Sequence, residues 1–283
     1  LTDVAVLAIG HSARDTFGLL NLSDIRMEPK PFAVGVRVEH PQDMIDESQY
    51  GKNAPDCLPA AAYKLTAKTK EGRGVYTFCM CPGGYVVNAS SEENRLAVNG
   101  MSYSGRNGKN ANSAVIVTVS PEDFPEKGIL GGLAFQRQLE EAAFAEGQGK
   151  IPVQLFGDFK KNVPSSSAGT IAPQMKGTYS WSNVRSIFPE FIAKSLEEGI
   201  TEFGKKIPGY DRDDAVLSGV ESRTSSPVRI LRDDTLQSSV KGLYPCGEGA
   251  GYAGGITSAA MDGLKVAEAV SQKYRAFDNP KNV

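Results

Sequence analysis

The sequence contains no apolar run approaching the ~18 residues that a membrane-spanning helix needs. Nothing near its start joins a basic segment to an apolar one, so no secretory leader is read there. Cysteine is scarce, 4 in 283 residues, which excludes a disulfide framework as the organising device. Histidine is scarcer at 2, and Cys79 and Cys81 have no second ligand pair at metal-binding spacing, so no metal centre is expected. Excess charge of one sign is also missing. Lys and Arg number 31 against 33 Asp and Glu, and a net charge of −2 offers no basic field to nucleic acid. The expectation is a cytoplasmic, reduced globular protein that handles a small molecule, with a homo-oligomer possible and no nucleic acid or membrane partner.

One more absence shapes the reading. No G-x-G-x-x-G follows a strand near the N-terminus, and no acidic residue stands about 20 positions beyond one to hold a ribose. The chain opens on Leu1 and enters an apolar strand almost at once, so a preceding unit is expected to be missing.

What is present is concentrated near the C-terminus. A short apolar strand at 242–245 leads into a loop holding Gly247, Gly249, Gly251, Gly254 and Gly255. From Ile256 onward, Ala260, Leu264, Ala267 and Val270 recur at helical spacing, which predicts a helix to about 272. Five glycines exceed what a turn requires. A bare strand–loop–helix lets a flat or phosphorylated ligand lie against backbone and meet the N–H groups of a helix start. Glu248 is the one charged side chain in that loop.

The rest of the chain brackets this feature. Residues 4–9 form a continuous apolar run, the pattern of a parallel strand buried on both faces. Ser12 or Asp15 is placed to cap a following helix through Leu20. Residues 31–40 alternate, with Phe32, Val34, Val36 and Val38 on one face, as in a half-buried strand. Strands of antiparallel type are read at 61–69, 74–80, 85–89, 95–101 and 113–119. Helical spacing takes over at 132–147 and 189–206, separated by a Ser/Pro/Gly-rich surface loop at 162–177, and a strand follows at 215–222.

Seven ordered blocks carry a family resemblance. They are Ala8-Ile-Gly-His-Ser-Ala-Arg-Asp-Thr16, Lys30-Pro-Phe-Ala-Val-Gly-Val-Arg-Val-Glu-His-Pro-Gln42, Phe78-Cys-Met-Cys-Pro-Gly-Gly-Tyr85, Val98-Asn-Gly-Met-Ser102, Asn110-Ala-Asn-Ser113, Val220-Glu-Ser-Arg-Thr-Ser-Ser-Pro-Val-Arg-Ile230 and the glycine loop. Over nearly its whole length the chain resembles the C-terminal portion of the FAD-dependent dehydrogenase family of bacterial two-dinucleotide-domain flavoproteins. The resemblance implies an α/β fold with an α+β insertion. An incomplete doubly wound FAD-binding sheet would be formed by the two chain ends, 1–22 and 223–283. An antiparallel substrate domain would be inserted at 23–222, its helical part at about 130–210.

The same resemblance implies FAD as cofactor and hydride or electron transfer through the flavin. Gly10, Gly247, Glu248, Gly249, Gly251, Gly254, Gly255 and Ile256 would bind it, with Glu248 on the ribityl hydroxyls and the helix start facing the flavin N1–O2 edge. Candidate catalytic residues are Arg223, it or Arg229 serving as a carboxylate clamp, His40, as a general acid/base, and Cys81, which with Cys79 would share one strand face. Each has a plain structural alternative: a solvated turn arginine, a backbone-bonded histidine, buried small side chains. Two other functions stay open. One is a cofactor-free interaction domain. The other is a flavoprotein acting on RNA, for which Lys160 and Lys161 are the only local basic feature singled out.

Overall fold

The computed structural model describes residues 2–55 and 57–274; the last part of the expected C-terminal FAD-binding segment, 275–283, lies outside the described residues. In chain order the elements begin with β1 (Ala5–Leu7), α1 (Arg14–Leu22), β2 (Met27–Pro29), β3 (Phe32–Pro41), α2 (Gln42–Tyr50), β4 (Thr66–Lys68) and β5 (Gly74–Cys81). They continue with β6 (Tyr85–Asn88), β7 (Val98–Met101), β8 (Asn110–Val119), α3 (Gly131–Glu146), β9 (Ile151–Leu155), α4 (Phe156–Lys161), β10 (Met175–Lys176) and β11 (Tyr179–Trp181). The chain closes with α5 (Glu190–Gly204), β12 (Val216–Glu221), β13 (Val228–Ile230), β14 (Leu243–Pro245) and α6 (Ile256–Lys273). It divides into two compact units, one of Ala33–Val119 and Gln136–Thr224, the other of Leu1–Phe32, Ser120–Phe135 and Ser225–Val283. Among the described residues no helix is long and apolar enough to cross a membrane.

The larger unit is built on a seven-stranded sheet of order β11-β9-β12-β3-β8-β5-β4. β12 runs antiparallel to β3 and β9, and β5 to β4 and β8, while the β11–β9 edge is parallel. On one face lies α5, whose Ile192, Leu196, Ile200 and Phe203 are buried. Gly199 lets that helix backbone rest on β5, since a Cβ there would fall 2.4 Å from Val75. Facing the opposite side is a small sheet, β10-β6-β7.

This second layer corrects the half-buried reading of β3. The apolar alternation of Val34, Val36 and Val38 is real, but Arg37 and Glu39 between them are buried as well. Arg37 donates from Nε to Glu221 at 2.7 Å, from Nη1 to the Cys79 carbonyl at 2.7 Å, and from Nη2 to Asn99 of β7 at 2.7 Å. A central strand covered on both sides can carry polar residues only if each finds partners. The helix α2 also went unpredicted: only Gln42 and Ile45 of its nine residues are buried, too few to write a period.

The smaller unit contains a parallel pair, β1–β14 (Ala5↔Leu243, Leu7↔Pro245), and an antiparallel pair, β13–β2. Phe17, Leu20, Ile25, Met27, Val228, Ile230 and Ala250 form one core, and Tyr244, Cys246 and Val266 another. The parallel pairing of β1 agrees with the sequence, but its burial does not: Ala5 is exposed and Val6 is 52% exposed. A strand paired only with β14 has no layer over that side. The N-cap position of α1 is Ala13, between the two residues the sequence offered for it.

Two neighbouring residues of β3 set opposite pH dependences. Burial raises Glu39 to about 7, against hydrogen bonds from Asn110 and the Gln174 N–H that pull it down. Burial lowers His40 to about 4. Glu39 therefore keeps a proton that the unfolded chain releases, so its contribution is full below about pH 4.5 and is lost as pH rises through 7. His40 acts in the other direction, costing stability as pH falls from 6.5 towards 4. Between the ordinary carboxylate and imidazole ranges the two nearly cancel. Glu39→Gln is expected to match the parent in thermal denaturation at about pH 5 and to exceed it by on the order of 3 kcal/mol at about pH 8. A difference that does not change with pH would rule this out.

Candidate functional site

The glycine loop folds as a closed turn fixed from below. After β14, the Cys246 N–H bonds the Leu7 carbonyl at 3.0 Å, and the Ile230 N–H bonds that of Ala250 at 3.1 Å. Ser226 Oγ donates to the Gly249 carbonyl at 3.0 Å, and Tyr252 Oη to that of Ile230 at 3.0 Å. The turn's entry is held by Asp262 of α6, which accepts the Gly247 N–H at 2.7 Å and a two-pronged pair from Arg232 at 2.6 and 3.0 Å. Burial pushes the Asp262 carboxyl up, but the Arg232 and Gly247 hydrogen bonds outweigh it and hold it below the ordinary aspartate range. Arg232 also lies 3.6 Å from the centroid of the Tyr252 ring.

The five glycines have different reasons. Gly247 and Gly251 adopt φ of +76° and +88°, where a side chain would be strained. Gly249 lies against Gly10, whose carbonyl oxygen would stand 2.3 Å from any added Cβ. Gly254 and Gly255 have neither reason: nothing comes within 4 Å of a Cβ at either. They open α6, whose N-cap is Gly255, without side-chain capping, and whose first residue, Ile256, is 93% exposed. The Gly254 N–H bonds Ser258 Oγ at 3.3 Å, and the first turn of the helix has no N-cap side chain.

Beside the loop, His11 Nδ1 meets Glu248 Oε1 at 2.6 Å, so this acidic group already has one partner and retains a second oxygen. Gly10, Gly247, Glu248, Gly249, Gly251, Gly254, Gly255 and Ile256 thus all lie in the smaller unit, on the turn or beside it. One pattern was missed. Gly249, Gly251 and Gly254 have the spacing G-x-G-x-x-G, and they stand between β14 and α6, the strand–turn–helix context that gives this motif weight.

The candidate catalytic residues are not gathered there. Arg223 is paired with Glu140 by two bonds of 2.9 Å and its side chain is 8% exposed, so it clamps a carboxylate of its own protein. His40 is wholly buried, its Nε2–H donating to the Tyr210 carbonyl at 2.7 Å, with the Tyr210 ring centroid 4.3 Å away. Cys79 and Cys81 do not share a face. A register shift lies between Phe78 and Cys81, with Cys79 at φ +42° and exposed while Cys81 is buried. Burial pushes the Cys81 and Cys246 thiols up, which disfavours thiolate chemistry at both. Among the described residues, no group of three or more His, Cys, Asp or Glu could hold a metal ion.

The apolar stripe of α6 is the other departure. Ile256, Ala260, Leu264 and Ala267 are exposed; of the stripe only Val270 packs, and the helix is otherwise held through Asp262 and Val266. Among the described residues, most of its periodicity has no cover.

Comparison with known proteins adds two findings. Residues 31–224 match the family described as FAD-dependent protein, C-terminal domain-like. The chain is 52% identical over 284 residues to a protein of Clostridium beijerinckii (strain ATCC 51743 / NCIMB 8052) whose description is "Uncharacterized protein". That match takes in 99% of this chain and 53% of the relative, so the chain spans about half the relative's length.

If Asp262 anchors the turn, Asp262→Ala leaves Arg232 buried without its counter-ion and the Gly247 N–H without an acceptor. The expected loss is about 3–5 kcal/mol in denaturant unfolding, with faster proteolytic cleavage near 247–252. Asp262→Asn should fall in between. Equal stability of all three proteins would refute the anchor.

Proposed function

Because the chain belongs to the family FAD-dependent protein, C-terminal domain-like, we propose that it supplies the flavin-facing loop and the substrate-facing domain of an FAD-dependent oxidoreductase. The observation that carries this is the open start of α6 at Gly254 and Gly255, two glycines that neither backbone strain nor packing demands. An uncapped helix start carries roughly half a positive charge and suits a flat ligand with a negative edge. Glu248 retains one carboxylate oxygen for ligand hydroxyls while His11 holds the other. The residues present therefore fit one end of the cofactor. When bound, FAD would supply the hydride or electron transfer.

The domain boundaries suggested by the sequence remain part of this proposal, as does a small-molecule substrate held by the larger unit. The exposed stripe of α6 and the exposed side of β1 would be the surface on which the remainder of a longer flavoprotein packs. That same surface is what favours a second reading, a cofactor-free interaction domain.

Titration of the purified chain with FAD, followed by flavin absorbance and fluorescence, separates the two. Retention of FAD is expected, weakened about tenfold in Glu248→Ala and abolished in Gly254→Val, with thermal stability nearly unchanged in the latter. No retention would favour the interaction domain, and retention indifferent to both substitutions would refute the loop as the flavin site.

A further inference from the structure

Four arginines drawn inward by the fold each meet a carboxylate within 3 Å: Arg37 with Glu221 at 2.7 Å, Arg185 with Glu197 at 2.8 Å, Arg223 with Glu140 at 2.9 Å and Arg232 with Asp262 at 2.6 Å. Arg229 departs from this pattern. Its Nε is buried without a hydrogen-bond partner, and its ion-pair neighbour Glu28 stands 3.6 Å from Nη1, too far for a hydrogen bond. Below the guanidinium lies the Tyr252 ring, 5.4 Å from ring centroid to guanidinium carbon, a face that holds the planar fork in one orientation.

The strand register adds a second cation. Arg229 sits opposite Glu28 in the β13–β2 ladder, so the two share a face, while Met27, Val228 and Ile230 turn to the core. Lys30 continues the Glu28 face two residues on, its N–H bonded to the Pro227 carbonyl at 2.9 Å. It is half-buried, and burial and the Arg229 charge together hold its ammonium below the usual lysine range, against an opposing pull from Glu248. Lys30 Nζ makes one long bond, to the Pro31 carbonyl at 3.4 Å, so its charge, like the covered Nε of Arg229, lacks a close anionic partner among the described residues.

We propose that Lys30 and Arg229 form an anion site for a carboxylate or phosphate group of a ligand. Arg229, whose side chain is 41% exposed although its Nε is covered, would turn its fork outward to two oxygens, and Lys30 would add a point charge from the same strand face. The site goes beyond the flavin reading, which rests on the glycine loop and the α6 start and does not require it.

NMR of the Arg229 Nε–H and Lys30 Nζ resonances of the whole chain tests this, with acetate and inorganic phosphate titrated separately at low ionic strength. A saturable shift of the Arg229 resonance and a rise in the Lys30 titration point are expected. Lys30→Gln and Arg229→Gln should each weaken binding about tenfold or more, and Arg229→Lys should recover only part of it. Saturation by both anions indicates recognition of any oxyanion; saturation by phosphate alone assigns a phosphate group. An unmoved Arg229 resonance, or an unsaturable drift identical in Lys30→Gln, overturns the site. The wild-type resonance answers without relying on a variant's folding. Because FAD retention is read optically, loss of the flavin reading and loss of the anion site are separate outcomes.

Discussion

Arg37 ties the larger unit together. From the middle of β3 its guanidinium reaches Glu221 on β12, the Cys79 carbonyl on β5, Asn112 on β8 and Asn99 on β7. Burying such a charge is costly, and the cost is met only when every donor finds its acceptor. Four strands of two different sheets therefore have to arrive in register around one planar group. The closeness is visible at Gly100 of β7, where a Cβ would stand 2.4 Å from Arg37 Nη1. The bulge in β5 belongs to the same constraint, since it turns the Cys79 carbonyl inward and its side chain out.

In the smaller unit an ion pair serves the loop rather than the core. Asp262 and Arg232 fix the entry to the turn, while the hydroxyls of Ser226 and Tyr252 hold its far side. Everything rigid lies beneath the turn. The open groups, namely Gly254, Gly255, the α6 start and one oxygen of Glu248, lie on its other side. A binding surface made of backbone has little side-chain entropy to lose on meeting a ligand, provided the turn is already in place. Lys30 and Arg229 stand in the same unit, on a separate strand face.

How much of this the sequence revealed depended on whether a residue's partner was near in the chain. The glycine loop and the α6 helix were legible because strand, turn and helix signals are local. The α5 stripe of Ile192, Leu196, Ile200 and Phe203 was legible because it is buried where its period says. The α6 stripe follows the same rule and is exposed, because periodicity reports a face and not what covers it. Arg37 and Glu39 looked solvent-facing for a similar reason: their cover, β7 and the segment at Gln174, lies about 60 and 135 residues further on. Arg223 and Arg229, six positions apart, looked equivalent. Glu140, 83 residues upstream of Arg223, distinguishes the arginine closed by two short bonds from Arg229, whose Nε has no hydrogen bond and whose carboxylate neighbour is 3.6 Å away. The C-x-C spacing misled because a bulge breaks the alternation that a strand reading assumes.

The pairing of β1 with β14 has a consequence in time. Ala5 waits for Leu243 and Gly10 for Gly249, so almost the entire chain must emerge before either contact can form. The larger unit, by contrast, is complete once Thr224 has been made. During synthesis the larger unit can assemble while β1 is still without its mate, and the glycine loop takes shape after it.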